Sequence, residues 1–439
     1  MTLTQDRKIV WNILSAVHRG RRLDRSFKEE TSGLTPKEKA WCREVSYGIQ
    51  RFRGRVDYLL GLNIRRGLAS VDPVVKDVLR IGLYEALYMH GVPQYAAVSQ
   101  AVELSKKVEK SAVGFVNAVL RSAAKKGGGQ ENFPDRRADP VSHLSTWGSH
   151  PTWLVKRWLS RWSSEEVAHL MDANNQIPPT FLNCLQGDPK ESVAKLRKYG
   201  ILAEEVEGTS CIMLKTPGSL EKALGTIPSI VQDPAASLVP AYMDLEVHDK
   251  VVDFCAAPGG KTMALAARGN LVLAADRSFN RLQLLRSNLE RLKESTLGSS
   301  SFRVHIVQGN IYQPMIAGSE AILLDVPCTG TGTLRRNPDI RWKITKKNVN
   351  EMADRQARML DCMVKLVPVG GMLVYSTCSL ELEENNHQVK RFLLRHPCFQ
   401  LQSGTGVGRK YLNSDGQLSV LPQMFGFDGS FAARMRRIS

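Results

Sequence analysis

Apolar positions along the chain change their spacing twice. Up to residue 126 they recur at helical intervals: Val75, Val78, Leu79, Gly82 and Ala86 fall on one face, and Asp72 followed by Pro73 reads as the N-cap and first residue of that helix. Val98, Ala101, Val102 and Ser105 mark a second stripe, and Val113, Val116 and Leu120 a third. Residues 1–126 are therefore expected to form an all-α domain of several short helices, none of which combines His, Cys or carboxylates for chemistry. Gly127, Gly128 and Gly129 interrupt the pattern, and the polar stretch 127–149 reads as a linker. Residues 150–240 are mixed, a small α+β domain with short strands at 180–184 and 212–215. Trp153, Trp158 and Trp162 lie in a helix-like segment there and are expected to pack rather than stack on bases. In 241–439 apolar runs at 251–255, 271–276, 304–307, 322–325 and 372–376 alternate with helical patterns at about 263–268, 280–293, 349–366 and 383–395. That alternation predicts a multidomain chain ending in an α/β, Rossmann-like domain, whose ligand crevice lies at the carboxyl ends of the strands.

Composition narrows the classes. With 439 residues, 43% hydrophobic and 23% charged, the chain excludes a small stapled scaffold and wholesale disorder. No apolar run approaches the roughly 18 residues of a membrane span, and the first residues lack a signal peptide's apolar stretch, so a cytoplasmic protein with no membrane partner is expected. Eight cysteines stand singly without a CxxC pair, which predicts free thiols and no metal site. The net charge of +17 suggests a polyanionic partner, and residues 1–150 carry +10 of it.

Two motifs carry candidate chemistry. The run Cys255-Ala256-Ala257-Pro258-Gly259-Gly260-Lys261-Thr262 joins the first strand of the α/β domain to a helix, a place where small residues and helix amides meet a ligand. It fits neither a Walker A loop nor Gly-x-Gly-x-x-Gly. Asp276, 23 residues after Asp253, closes the second strand where an acid accepts ribose hydroxyls, and a ribose without a demanded pyrophosphate suits S-adenosyl-L-methionine. Further on, Asp325-Val326-Pro327-Cys328 and Thr377-Cys378 put two cysteines at strand ends, one of them three residues after an acid. Methyl transfer to C5 of a pyrimidine needs such a set. A thiolate adds at C6 to make C5 nucleophilic, a carboxyl group hydrogen-bonds the ring as charge develops, and the adduct must then be released. Asp325 suits the second task, one cysteine the first and the other the release.

These runs resemble the bacterial rRNA cytosine-C5 methyltransferases of the RsmB/Sun type, over nearly the whole chain. The likeness is carried by residues 253–262, by 325–332 with Arg335-Arg336-Asn337-Pro338-Asp339-Ile340-Arg341-Trp342, and by Tyr375-Ser376-Thr377-Cys378-Ser379-Leu380. It implies a methyltransferase forming 5-methylcytosine in 16S rRNA, with Cys378 as nucleophile, Cys328 tied to product release and Asp325 as the acid. It also implies S-adenosyl-L-methionine as cofactor, held by Cys255, Ala256, Ala257, Pro258, Gly259, Gly260, Lys261, Asp276, Asn310 and Asp325. Residues 44–55, the Asp72-Pro73 helix and residues 114–121 resemble a NusB-like RNA-binding domain. Ser149-His150-Pro151, Trp153 and Ala173-Asn174-Asn175 resemble the middle RNA-recognition region. The implied partner is 16S rRNA or an early small-subunit particle, met by a monomer. Arg51, Arg53 and Arg55 cannot share one helix face, so at least one is expected on a solvated surface and the others against phosphate. Three positions depart from the family pattern. Asn310 follows Gly309 where an Asp is usual, Asn337 replaces a His, and Ser430 replaces an aromatic residue. A tRNA cytosine-C5 methyltransferase would share every catalytic residue, and a non-catalytic NusB-like RNA-binding factor would need neither cysteine nor Asp325.

Overall fold

The computed structural model describes residues 2–295, 302–314 and 316–439, and its contacts divide into two units. Unit one is Met1–Ile177 together with Leu334–Ile344; unit two is Pro178–Thr333 together with Thr345–Ser439.

Unit one is helical: α1 (Gln5–His18), α2 (Leu23–Glu30), α3 (Pro36–Gly61), α4 (Pro73–Tyr88), α5 (Gln94–Val108), α6 (Val113–Lys126), α7 (Pro140–Thr146), α8 (Thr152–Leu159) and α9 (Ser164–Asn175). Asp72 caps α4 by accepting the Val74 N–H at 2.7 Å, and Pro73 opens it. Val75, Val78, Leu79 and Ala86 join the core with Val98, Ala101, Val116 and Leu120. Gly82 has a packing reason: a Cβ there would lie 2.6 Å from Leu120 Cδ1 and 2.7 Å from Ala101 Cβ, so α4 approaches α5 and α6 more closely than any side chain allows. In the stretch 127–149, α7 buries His143 and Leu144. Trp158 is fully buried, its ring 5.5 Å from that of His150.

The three arginines of α3 overturn the expectation placed on them. None is left to a phosphate face. The helix kinks at Phe52, Arg51 is buried with Nη2 3.5 Å from the Arg335 carbonyl, and Arg53 pairs with Asp57 at 3.3 Å while lying over Trp342. Arg55 donates to the Trp147 carbonyl at 2.6 Å and stacks on that indole.

Unit two holds two sheets. The smaller is antiparallel and contains β1 (Thr180–Cys184), β2 (Ala203–Glu205), β3 (Cys211–Leu214) and β4 (Ser229–Val231), ordered β2-β3-β1-β4. The larger contains β5 (Lys250–Phe254), β6 (Leu271–Asp276), β7 (Val304–Gln308), β8 (Ala321–Asp325), β9 (Met372–Thr377), β10 (Phe399–Gln402), β11 (Leu418–Val420) and β12 (Ser430–Arg437). Its order is β10-β12-β9-β8-β5-β6-β7, with β11 beside β12. Strands β5 to β9 run parallel, whereas β12 pairs antiparallel with both β9 and β10. The five expected strands are present within a residue or two, covered by the helices Gly260–Ala267, Phe279–Ser295, Lys346–Met363 and Asn386–Arg395. Because β5 lies between β6 and β8, the chain reverses direction across the sheet there, and a crevice opens at the strand ends. Pairing of Asp325 with Ser376 brings the loops after β8 and β9 level.

Candidate active site

Two clusters meet at the carboxyl ends of these strands. The first is a cavity of about 240 Å³. Cys255, Asp276 and Asn310 line it beside apolar Phe254, Ile311 and Met359, and Pro327 stands at its wall. Cys255 holds a left-handed backbone (φ 62°), and burial, then the charges of Asp325 and Asp276, push its thiol up to about 12, which disfavours its thiolate. Asp276 accepts the Ala257 N–H at 3.2 Å and the Ser278 N–H at 2.8 Å, and Arg281 lies 3.4 Å away. Asn310 accepts the Tyr312 N–H at 3.2 Å.

Ala256, Ala257, Pro258, Gly259 and Gly260 form the turn after β5 but are not among the cavity's lining residues. The glycines answer to the protein's own packing. A Cβ on Gly259 would lie 2.7 Å from Leu285 Cγ, and one on Gly260 2.8 Å from Gln232 Nε2. Helix Gly260–Ala267 starts three residues earlier than the expected 263, and the Thr262 hydroxyl donates to Asp253 at 2.6 Å.

The second cluster holds the two cysteines. Cys328 Sγ and Cys378 Sγ are 3.1 Å apart and both thiols are free. Asp325 accepts the Ser376 hydroxyl at 2.6 Å on one oxygen and pairs with Lys261 at 2.8 Å on the other. Burial works against the Lys261 charge, but Asp325 outweighs it and holds the ammonium above its usual range. Lys261, expected in the cofactor cradle, is thus paired with Asp325, a contact that spacing alone did not signal. Cys328 is held well above the ordinary thiol range by its hydrogen bond to Cys378 and by burial, with the charges of Cys378 and Glu384 adding to this. Gly332 lets the loops touch. Its N–H donates to the Cys378 carbonyl at 2.9 Å, and a Cβ there would lie 2.7 Å from that oxygen.

With one acid, one lysine and two thiols beside a cavity whose acid, amide and apolar walls suit a nucleoside, the arrangement can bind an adenosine-bearing cofactor and attack an electrophilic ring carbon. Among the described residues no group of His, Cys, Asp and Glu could hold a metal ion, and no helix is long and apolar enough to cross a membrane.

Known proteins match along the whole chain. Residues 240–436 match the family described as 16S rRNA methyltransferase RsmB/F, residues 4–125 the NusB family, and residues 150–221 the ferredoxin-like domain of RsmF/B-like methyltransferases. The chain is 31% identical over 435 residues to ribosomal RNA small subunit methyltransferase B of Klebsiella pneumoniae, covering 96% of each. It is 30% identical over 427 residues to the probable enzyme of that name in Bacillus subtilis, covering 93% of this chain and 92% of that protein. The crystal structure of PH0851 superposes with a TM-score of 0.77 at 23% identity over the full length of both chains, and NSun6 from Pyrococcus horikoshii, solved with SFG, with a TM-score of 0.54 at 19% identity over 65% of this chain and 97% of that one. At those identities the two structures speak for the fold alone.

Proposed function

Because the chain belongs to the RsmB/F family of 16S rRNA methyltransferases, we propose that it moves a methyl group from S-adenosyl-L-methionine to C5 of a cytosine in 16S rRNA, through a covalent bond between Cys378 and C6. The observation that carries this reading is the pair of thiols 3.1 Å apart beside the Lys261–Asp325 ion pair, where two strand ends adjoin a nucleoside-sized cavity. The cofactor supplies an electrophilic methyl; the chain's residues do the rest. Cys255, Asp276 and Asn310 would hold it, with Asn310 offering adenine a hydrogen bond without the charge of the family's usual Asp.

Cys378 adds to C6 as a thiolate, forming the C–S bond and pushing electron density onto C5 and N3. As N3 gains charge it takes a proton from the Lys261–Asp325 pair, and the Asp325 carboxylate, aligned by Ser376, accepts that N3–H and the exocyclic amine N–H. After C5 has taken the methyl, N3 returns its proton to the Asp325–Lys261 pair, a water molecule takes the C5 proton, and the electron pair left behind forms the C5–C6 double bond and expels the Cys378 sulfur as thiolate. Cys328, still protonated, donates its S–H to that departing sulfur. The target base must be unpaired or extruded to reach the thiols. Exposed Lys107, Arg121, Lys125 and Lys126 on α5 and α6 are among the cations of the helical unit available to the surrounding phosphates, on free rRNA or an early particle. A monomer working in the cytoplasm fits that substrate.

Incubating the protein with unmethylated small-subunit rRNA and labelled cofactor tests the reading. Label is expected in 5-methylcytosine with the native protein and is expected to vanish with Cys378→Ala. Label in another nucleotide, or undiminished label in the variant, would overturn it.

A further inference from the structure

One buried carboxylate ties the two cysteine loops together without touching the cavity. Glu384, fully buried, lies six residues beyond Cys378 and just ahead of helix Asn386–Arg395. Its Oε1 accepts the Thr329 N–H and the Gln356 side-chain amide, each at 2.9 Å. Its Oε2 accepts the Ser379 hydroxyl at 2.5 Å and the Thr329 hydroxyl. Thr329 directly follows Cys328, and Ser379 directly follows Cys378. A single side chain therefore grips the neighbour of each thiol.

The residues on the other side of each cysteine are held by the same network. Gln356 uses its amide a second time to reach the Pro327 carbonyl at 2.9 Å, ahead of Cys328. Asn385 accepts the Thr377 hydroxyl at 2.6 Å, ahead of Cys378, and donates to the Ser379 carbonyl at 2.8 Å. Tyr375 then anchors the network to β9 by donating to the Glu384 carbonyl at 2.7 Å. All four groups that meet the Glu384 carboxylate are neutral donors. A buried carboxylate satisfied only by neutral groups is costly to keep. If the task were only to bridge the loops, glutamine would do. Its carbonyl could accept the two obligate N–H donors, and its NH₂ could donate to the two hydroxyls once these turn round. The choice of an acid points to a use for the charge.

We propose that Glu384 is a positioning residue of the transfer reaction, which holds Cys328 and Cys378 in contact and divides their roles between nucleophile and proton donor. This rests on the reading of the two cysteines as the reacting pair. Burial opposes the Glu384 charge while its bonds from Ser379, Thr329 and Gln356 favour it. Two of its four bonds are to Thr329, the neighbour of Cys328, against one to Ser379, so a charge there disfavours a second thiolate on Cys328 and the pair's remaining proton stays on that sulfur. Cys328 then donates to Cys378 rather than competing with it. Without that charge either sulfur could deprotonate, and a fraction of the enzyme would present the wrong nucleophile.

The test uses the full chain with Glu384→Gln and reads two quantities. The first is the initial rate of iodoacetamide alkylation at each cysteine, resolved by peptide mass spectrometry without RNA. Cys378 in the native protein is expected to react at least about tenfold faster than Cys328, and Glu384→Gln to bring the two rates within about threefold. The second is methyl transfer, where kcat is expected to fall roughly 10- to 100-fold while KM for cofactor and RNA stays within about twofold. A merely structural role would alter stability or KM and leave the alkylation ratio alone. An unchanged ratio together with an unchanged kcat overturns the proposal. If the cytosine reading itself fails, no variant transfers methyl to cytosine, yet the alkylation ratio still reports on Glu384. If Glu384→Gln does not fold, Thr329→Val removes one donor to the same oxygen; kcat equal to native in that variant overturns the proposal, and a loss of roughly tenfold supports it.

Discussion

The carboxyl of Asp253 lies in the core at the end of β5, with one oxygen accepting the Thr262 hydroxyl and the other without a hydrogen-bond partner among the described residues. Burial pushes it up to about 7 from an ordinary 3.8, with Thr262 pulling the other way. The folded state therefore binds this proton more tightly than the unfolded chain does. Its contribution to stability is fully present below pH 3.8, declines as pH rises, and is lost above about 7, where the fold must bury a charge. Asp253→Asn stays neutral throughout. It is expected to match the native protein near pH 4 and to exceed it above pH 7, by up to about 4 kcal/mol on the usual 1.4 kcal/mol per pH unit. Thermal unfolding at pH 5 and pH 8.5 checks this, and a variant destabilised more at pH 8.5 than at pH 5 contradicts it. The sequence marked Asp253 as a strand residue opening the run that resembles the cofactor motif, not as a buried neutral acid, because its protonation depends on what covers it.

Among elements, those that bury an unbroken apolar run were legible and those that owe their place to partners were not. Strands β5, β6, β8 and β9 read directly from their aliphatic and β-branched residues, and the cysteines could be assigned to strand ends without coordinates. Strand β12 escaped notice. Ser-Phe-Ala-Ala-Arg-Met-Arg-Arg holds three arginines and no β-branched residue, and it is extended because β9 and β10 pair with both of its edges. The Glu384 network escaped for a related reason: residues 329, 356, 379 and 384 are separate in sequence, and only the fold makes them one cluster. The arginines of α3 misled because helix periodicity does not foresee a kink at Phe52 or the indoles of Trp147 and Trp342. The short helix Ile340–Lys343 is the clearest case of an element held by its surroundings. Its Arg341 is fully buried and donates to the carbonyls of Ser149 at 3.1 Å and Asn174 at 3.0 Å and to the Asn175 side chain at 2.7 Å. Arg341→Met keeps much of the volume and strands those acceptors. We expect a loss of about 3 kcal/mol in thermal or denaturant unfolding of the full chain, and an unchanged midpoint would contradict the role given to the guanidinium.

At the scale of the whole molecule, the excess of charge and the proposed chemistry belong to different parts of the chain. Residues 1–150 carry +10 of the +17, yet Arg51, Arg53, Arg55 and Arg80 of that region spend their charge on internal carbonyls, carboxylates and rings. The count of basic residues therefore overstates the cations left for a polyanion. The proposed reacting groups are all in unit two, and the chain passes between the two parts at Ile177–Pro178, at Thr333–Leu334, five residues after Cys328, and at Ile344–Thr345. In the proposed reaction Cys378 bonds the base and Cys328 serves its release. Mixing Cys328→Ala with unmethylated small-subunit rRNA and cofactor, then running a denaturing gel, tests this most directly. A protein–RNA adduct is predicted for Cys328→Ala and none for the double variant that also carries Cys378→Ala; an adduct that survives the loss of Cys378 would contradict the account.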